Sequence, residues 1–383
     1  MKMPKMKKLD AKEFLINNTV PLMFVVLCAI CIPLSGQPIS SLARDIVTRI
    51  VRNSFLVLSL LIPIMAGMGL NFGMTLGAMA GQIGLIFVTD WSIVGIPGLL
   101  LAAIISVPIS IMLGWICGHM LNKAKGREMV TSYIISFFMN GIYQLIVLYA
   151  MGSLIPMRSS SLILPRGYGV RNTVNLAGAK GSIGLRKSLD NFLSIQIGQV
   201  QIPILTILII VLLCFFILWF KKTKLGQDMR AVGQDMEVAR EAGINVERTR
   251  ILSIVISTVL AGFGMIIYLS NMGTLNTYNS HSQIGMFSIA ALLVGGASVT
   301  KANIRNVFLG IILFHTMFIV SPYAGKNLIG QAQLGEYFRV FVSYGVITLA
   351  LVLYEVRARR ENSIKSKHIA ESQANSAKEK REA

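Results

Sequence analysis

Acidic residues are scarce in this chain, and so are histidine and cysteine: 17 Asp and Glu stand against 36 Lys and Arg, with 4 His and 4 Cys in 383 residues. Each shortage removes a class of function. No His, Cys, Asp or Glu recurs at metal-ligand spacing, so no metal site is expected. Paired carboxylates and a Ser/His/Asp constellation are also missing, which leaves membrane-enzyme chemistry without residues to carry it. No acidic residue falls in the middle of an apolar run, where an ion-coupled carrier places its titratable groups. Asp90 sits at the end of a run beside Trp91, an interfacial position, and His315 is the one titratable candidate inside a run, read first as a packed, hydrogen-bonded residue. Cys28, Cys31, Cys117 and Cys214 all lie in apolar runs. Cys28 and Cys31 have redox-motif spacing but no charged neighbour to favour a thiolate, so all four read as small apolar fillers. The stretch from Gly181 to Ser188 nearly spells the phosphate loop G-x-x-x-x-G-K-[ST], but Arg186 stands where the second Gly would let the backbone curl round phosphate. The chain is not expected to hydrolyse ATP itself.

What the sequence has in abundance is apolar length. Hydrophobic residues make up 54% of the chain and charged residues 14%, which sets it apart from soluble domains. A helix needs about 20 apolar residues to cross the hydrocarbon core. Runs near that length fall at 19–35, 55–74, 96–118, 129–151, 202–220, 251–270, 284–299, 307–322 and 337–354, with 75–88 as a tenth span or a broken one. The expected fold is all-α: a polytopic transmembrane bundle of about 10 spans (8–10), because an open sheet edge cannot survive in lipid. The net charge of +19 raises nucleic acid as a partner, but its distribution argues against that. With ten spans and both termini cytoplasmic, most Lys and Arg residues fall inside, as the positive-inside bias requires. Pro21, Pro33 and the lack of a small-x-small site predict that the first run is retained rather than cleaved. The chain thus divides into a basic cytoplasmic lead-in 1–18, a membrane domain 19–356 and a charged cytoplasmic tail 357–383, in the cytoplasmic (inner) membrane.

Within the membrane domain, 36–53 places Ile39, Leu42, Ile46 and Ile50 at helical spacing, with Arg44, Asp45, Arg49 and Arg52 between them. It reads as a short amphipathic helix on the outer surface. Gly69, Gly73, Gly77 and Gly81 recur every fourth residue. On one helix they form a packing face that lets another backbone approach closely; each also weakens the helix by about 1 kcal/mol relative to Ala, which admits a discontinuous helix beside a solute route. The long extracytoplasmic loop 153–201 is too rich in Pro and Gly for a span, and reads as a docking surface for a soluble partner or as a flexible loop. A polar cytoplasmic loop at 221–250 is wedged between two apolar runs. Asp235 is placed to cap a helix start, Glu237 lies in its first turn, Arg240 in its last, and Gly243 suits the position after its end. Short helices are expected over 227–232 and 236–242, suited either to a groove on a separate ATPase or to an ordinary connector.

Several blocks carry a family resemblance. Thr223 to Gly226, Arg230 to Gly233, Ala239 to Val246, and Ala261 with Gly262 resemble the coupling region of ABC importer permeases of the ribose/simple-sugar, nucleoside and branched-chain amino-acid group. The glycine-rich 67–84 is similar to the family's early segment, and Leu293 to Ser298 to its late Gly-Gly-[Thr/Ala]-Ser stretch, so the resemblance spans 54–322. Where the family commonly carries a second Gly pair after Ser298, this chain has Val299 to Asn303. The resemblance implies that ATP and Mg are bound by partner ATPase subunits, that a second permease copy or a sister permease completes the pore, and that an extracytoplasmic solute-binding protein delivers solute. It assigns ATPase coupling to Gly226, Arg230, Gly233, Asp235, Glu237, Ala239, Arg240, Glu241, Ala242 and Gly243. Solute contacts must then come from polar groups within spans. The candidates are Asn71, Gln82, Asn140, Gln144, Asn271 and Asn276, each equally suited to an interhelical hydrogen bond. The absence of buried charge suits a neutral or weakly polar solute: a simple sugar, a nucleoside or a related molecule. The alternatives are a stand-alone secondary carrier or channel that needs no ATPase, and an export-type or structural permease.

Overall fold

A computed structural model gives the fold; it describes residues 18–352 apart from 178–183, 199, 332, 342–343, 346–347 and 349–351. The lead-in before Asn18, the tail 357–383, part of the run 337–354 and the first residues of the near phosphate loop lie outside the described residues. The described chain is mostly helical. In chain order the helices are α1 (Thr19–Ser35), α2 (Ile39–Ser59), α3 (Leu61–Met65), α4 (Met74–Asp90), α5 (Gly95–Lys123), α6 (Glu128–Leu145, prolonged by a π turn Ile146–Ala150), α7 (Ser188–Phe192), α8 (Ile204–Phe220), α9 (Lys224–Gln234), α10 (Met236–Glu241), α11 (Val246–Met272), α12 (Ser280–Val294) and α13 (Ile304–Ile329). Four short strands accompany them: β1 (Thr173–Asn175), β2 (Ser194–Ile197), β3 (Val200–Pro203) and β4 (Thr274–Asn276).

Helix α11 is the axis of the bundle, with α4 and α5 packed along it. Glycines set those distances. A Cβ on Gly77 would lie 2.1 Å from the Thr258 carbonyl oxygen, one on Gly81 2.6 Å from that of Gly262, and one on Gly114 2.2 Å from Thr258 Oγ1. At such separations hydroxyls reach across: Thr258 Oγ1 donates to the Ser110 carbonyl at 3.1 Å, and Ser257 Oγ to that of Ser59 at 2.9 Å. These bonds spare polar groups from hydrocarbon without thickening the contact.

Among the described residues, five helices are long and apolar enough to cross a membrane: Ile39–Met65, Gly95–Lys123, Glu128–Ala150, Val246–Met272 and Ile304–Leu328. A sixth candidate is α8 with α9, bent by 73° at their junction, and α1, α4 and α12 are shorter apolar helices. Two expected elements are cut differently from the sequence reading. The segment 36–53 is no separate surface helix, because α2 runs without a break from Ile39 to Ser59. The run 55–74 is no single span either, since α3 stops at Met65 and α4 begins at Met74. Gly67 stops α3: its φ of 72° places it in the left-handed region, so Gly67 N donates to the Ile64 carbonyl and Met68 N to that of Pro63 at 2.9 Å, the paired bonds of a Schellman end. Gly69 and Gly73 consequently lie in the break, Gly69 at φ 69° and Gly73 as the cap of α4, while Gly77 and Gly81 face α11.

The loop 153–201 is folded onto the end of the bundle opposite α9 and α10. Asp90, buried at the end of α4, accepts from Arg158 N and Ser159 N at 2.8–3.0 Å. Antiparallel pairing of β1 with β4 sets Val174 opposite Leu275, both buried, and ties the loop to the link between α11 and α12. A hairpin of β2 with β3 leads into α8.

Candidate functional site

Two polar constructions stand out. The first is the pair α9–α10. Thr223 opens α9 by accepting from Gly226 N at 3.2 Å. Asp235 ends α9 and caps α10, its Oδ1 accepting from Glu237 N at 2.9 Å and Val238 N at 3.1 Å. At the far end Gly243, φ 82°, closes a second Schellman end, with Ile244 N donating to the Ala239 carbonyl at 3.0 Å. Helix Met236–Glu241 therefore agrees with the 236–242 read from its capping residues to within one residue. Val232, Ala239 and Val246 form a small core of their own beneath the pair.

The candidate coupling residues separate into two faces. Gly226, Gly233 and Ala239 turn inward, whereas Arg230, Asp235, Glu237, Arg240, Glu241, Ala242 and Gly243 are exposed. Among the latter group stands Val238, 61% exposed, an apolar knob in a charged rim. Partial burial, and then the nearby Arg230 charge, hold the Lys221 ammonium below the usual lysine range. The inward face touches the break in α3–α4 directly: a Cβ on Gly233 would lie 2.3 Å from the Met65 carbonyl oxygen, and one on Gly67 2.9 Å from Gly233 Cα.

Beside that contact is a residue that sequence reasoning missed. Arg250, in the first turns of α11, is fully buried. Its guanidinium bonds Glu128 Oε1 at 2.5 Å, Met68 Sδ at 2.8 Å and Met236 Sδ at 3.1 Å. It thus joins α6, the break, α10 and α11 at one cation. The expectation that no charge is buried needs correction accordingly. Hydropathy alone cannot show it, because Arg250 is one position outside the run 251–270.

The second construction lies between α4, α6 and α12. His281, fully buried at the start of α12, places Nδ1 3.1 Å from Gln82 Oε1 and Nε2 2.8 Å from Asn140 Oδ1. Gln82 Nε2 donates to the Asn276 carbonyl at 3.2 Å, and Gln144 Nε2 reaches the Tyr278 carbonyl at 3.4 Å. The Tyr143 ring stands 5.0 Å from that of His281, and its buried hydroxyl has no hydrogen-bond partner among the described residues. Gln82, Asn140, Gln144 and Asn276 are therefore brought together. Asn71 and Asn271 are not. Asn71 sits in the break, its Oδ1 accepting from Gly73 N and its buried Nδ2 unpartnered among the described residues. Asn271 donates to Asp190 at 2.5 Å, under the folded loop.

His281 is a further buried titratable residue, besides His315, that the sequence reading did not single out. The signal available was a His within a polar stretch, Asn276 to Gln283, just ahead of an apolar run. A neutral imidazole offers one donor and one acceptor. Both ring nitrogens face amide oxygens, Gln82 Oε1 and Asn140 Oδ1, so the single N–H of the neutral ring engages one of them. The site presents neutral donors and acceptors beside an aromatic ring, and among the described residues no carboxylate is bonded to it. Among the described residues no group of three or more His, Cys, Asp or Glu is placed to hold a metal ion.

Comparison with known families matches residues 42–351 to the family described as branched-chain amino acid transport system / permease component. Among curated proteins, the chain is similar to the Autoinducer 2 import system permease protein LsrD of Photorhabdus luminescens, 26% identical over 239 residues, which is 62% of each chain. It is 25% identical over 308 residues to the nucleoside ABC transporter permease protein NupB of Lactococcus lactis, covering 77% of this chain and 76% of the relative. With the xylose/arabinose import permease protein XylH of Sulfolobus acidocaldarius it shares 24% over 272 residues, 70% of this chain and 64% of the relative. The matches to LsrD and XylH thus span less than two thirds of those relatives' length. No solved structure matches the chain.

Proposed function

Because the chain belongs to the branched-chain amino acid transport system / permease component family, we propose that it is the membrane-spanning subunit of an ATP-driven importer. It sits in the cytoplasmic membrane with about ten spans and both termini inside, so that α9 and α10 project into the cytosol. Two ATPase subunits, which bind ATP and Mg, receive the exposed face of that pair. A second copy or sister permease completes the pore, and an extracytoplasmic binding protein presents solute to the folded 153–201 face.

The observation that carries this reading is the contact between Gly233 and Gly67. A helix pair whose outer face is charged and exposed has its inner face seated on the break of a membrane helix, with Arg250 beside it. ATP-driven closure of the partner would push the pair, and the break would move with it. Broken helices suit this because their backbone can re-bond within protein. Solute would pass the Gln82–His281–Asn140 network, whose neutral groups suit a simple sugar or a nucleoside. Relatives whose names specify nucleosides or xylose and arabinose support that class.

The test is reconstitution. Vesicles holding the chain with an ATPase and a binding protein should take up solute only with ATP; full uptake by the chain alone, without ATP, would sink the proposal. Glu241→Lys reverses a charge on the exposed rim, and is expected to weaken ATPase retention during purification about tenfold, the scale of one interface residue. Solute affinity of the binding protein should not change. His281→Leu leaves the buried Gln82 Oε1 without its partner, at about 1–3 kcal/mol, and leaves Asn140 Oδ1 to Gln144 alone. Solute flux per ATP hydrolysed should fall, and His281→Gln should recover part of it. Wild-type flux in the leucine variant would remove the network from the pathway.

A further inference from the structure

Another concentration of positive charge lies toward the opposite end of the bundle from α9 and α10, and transport as proposed leaves it unused. Arg49 and Arg52 stand one turn apart on α2. The Arg49 guanidinium carbon is 5.0 Å from the centroid of the Phe318 ring on α13, and that of Arg52 is 5.0 Å from the Tyr268 ring on α11. Arg339 also covers Phe318, at 4.4 Å. His315, 4% exposed, lies one turn before Phe318, and its buried Nδ1 has no partner among the described residues.

The donors here outnumber the acceptors. Arg52 offers one N–H to the Met272 sulfur at 2.7 Å, a weak acceptor, while its buried Nε has no hydrogen-bond partner among the described residues. No hydrogen bond or ion pair to a described residue engages Arg49. Of the nearby carboxylates, Asp45 is paired with Arg44 and reaches Arg49, one turn on, through its charge alone, and Glu336 is paired with Arg339. Like charges one helical turn apart repel, and taking guanidinium groups out of water without a counter-charge is costly. The aromatic faces offset part of that but accept no hydrogen bond. An oxyanion would supply what is missing, since guanidinium forks match phosphate oxygens two at a time. Tyr337 and Phe341, both exposed, flank Arg339 in sequence and would suit acyl chains.

We propose that Arg49, Arg52 and His315 form a binding site for a phosphate-bearing anion, supplied by a lipid headgroup or as free phosphate. The full chain, purified in a neutral detergent, is titrated with phosphatidylglycerol, phosphatidylcholine or inorganic phosphate. Retained adducts are counted by native mass spectrometry, and the unfolding midpoint is read in parallel. Selective retention of phosphatidylglycerol, with a midpoint raised by a few degrees, assigns the site to lipid. A comparable rise with inorganic phosphate alone assigns it to the free ion. R49Q/R52Q should abolish the preference, and R49K/R52K, which keeps the charge but not the fork, should keep part of it. The proposal is overturned if the wild-type chain shows neither preference for phosphatidylglycerol over phosphatidylcholine nor a response to phosphate. Undiminished retention by R49Q/R52Q overturns it as well.

Discussion

Arg250→Ala is expected to cost the protein about 3–5 kcal/mol, because it leaves the partly buried Glu128 carboxylate without its cation. The loss should appear as an earlier unfolding midpoint in denaturant, and no other single surface or rim change named here approaches it. The arginine also holds Met68 and Met236, so the variant should lose transport even where some folded protein remains. A second variant separates the two effects. Replacing the pair together, Arg250→Met with Glu128→Leu, removes both charges and should restore most of the stability. It should not restore transport if the cation itself carries motion between α10 and the break. An Arg250→Ala protein that unfolds at the wild-type midpoint would refute the first claim; a double variant with full transport would refute the second.

Gly233→Ala adds one methyl group and should act far beyond its size. That Cβ would sit 2.3 Å from the Met65 carbonyl oxygen and 3.0 Å from Gly67 N, so α9 must retreat from the break. The exposed rim of α10 is untouched, and ATPase subunits should still bind. ATP-dependent uptake should fall about a hundredfold, the scale on which misplacement near 1 Å acts at a working site. Gly141→Ala makes the control, since nothing lies within 4 Å of its added methyl. Equal uptake by the two variants would show that the contact between α9 and the break transmits nothing.

The sequence made local structure legible wherever one residue type answers one backbone need. Asp235 and Gly243 mark the two ends of α10, and both work through neighbours no more than five residues away. The glycine run was readable as well, though not its division of labour. Two of those glycines sit in the break and two face α11, and the difference lies in Gly67, whose left-handed backbone ends α3 before the spaced series begins. Hydropathy ran straight through that point, because Met65 to Met74 contains no charge. What was out of reach is long-range pairing. Gln82 and His281 are 199 positions apart, and periodicity along either helix cannot say that they meet. Arg250 failed for a related reason: at the edge of an apolar run an arginine looks solvated, and only the assembled bundle shows it enclosed by two methionines and a glutamate.

The small core of Val232, Ala239 and Val246 under α9 and α10 has a consequence for ancestry and engineering. Since those three side chains hold the pair together without help from the exposed rim, the rim is free to drift while the pair keeps its shape. If that rim receives an ATPase as proposed, altering Glu237, Val238, Arg240 and Glu241 would let a lineage exchange one motor for another with the inward glycines unchanged. Grafting that quartet between permeases should therefore move the docking preference as a unit and leave the choice of cargo where it was.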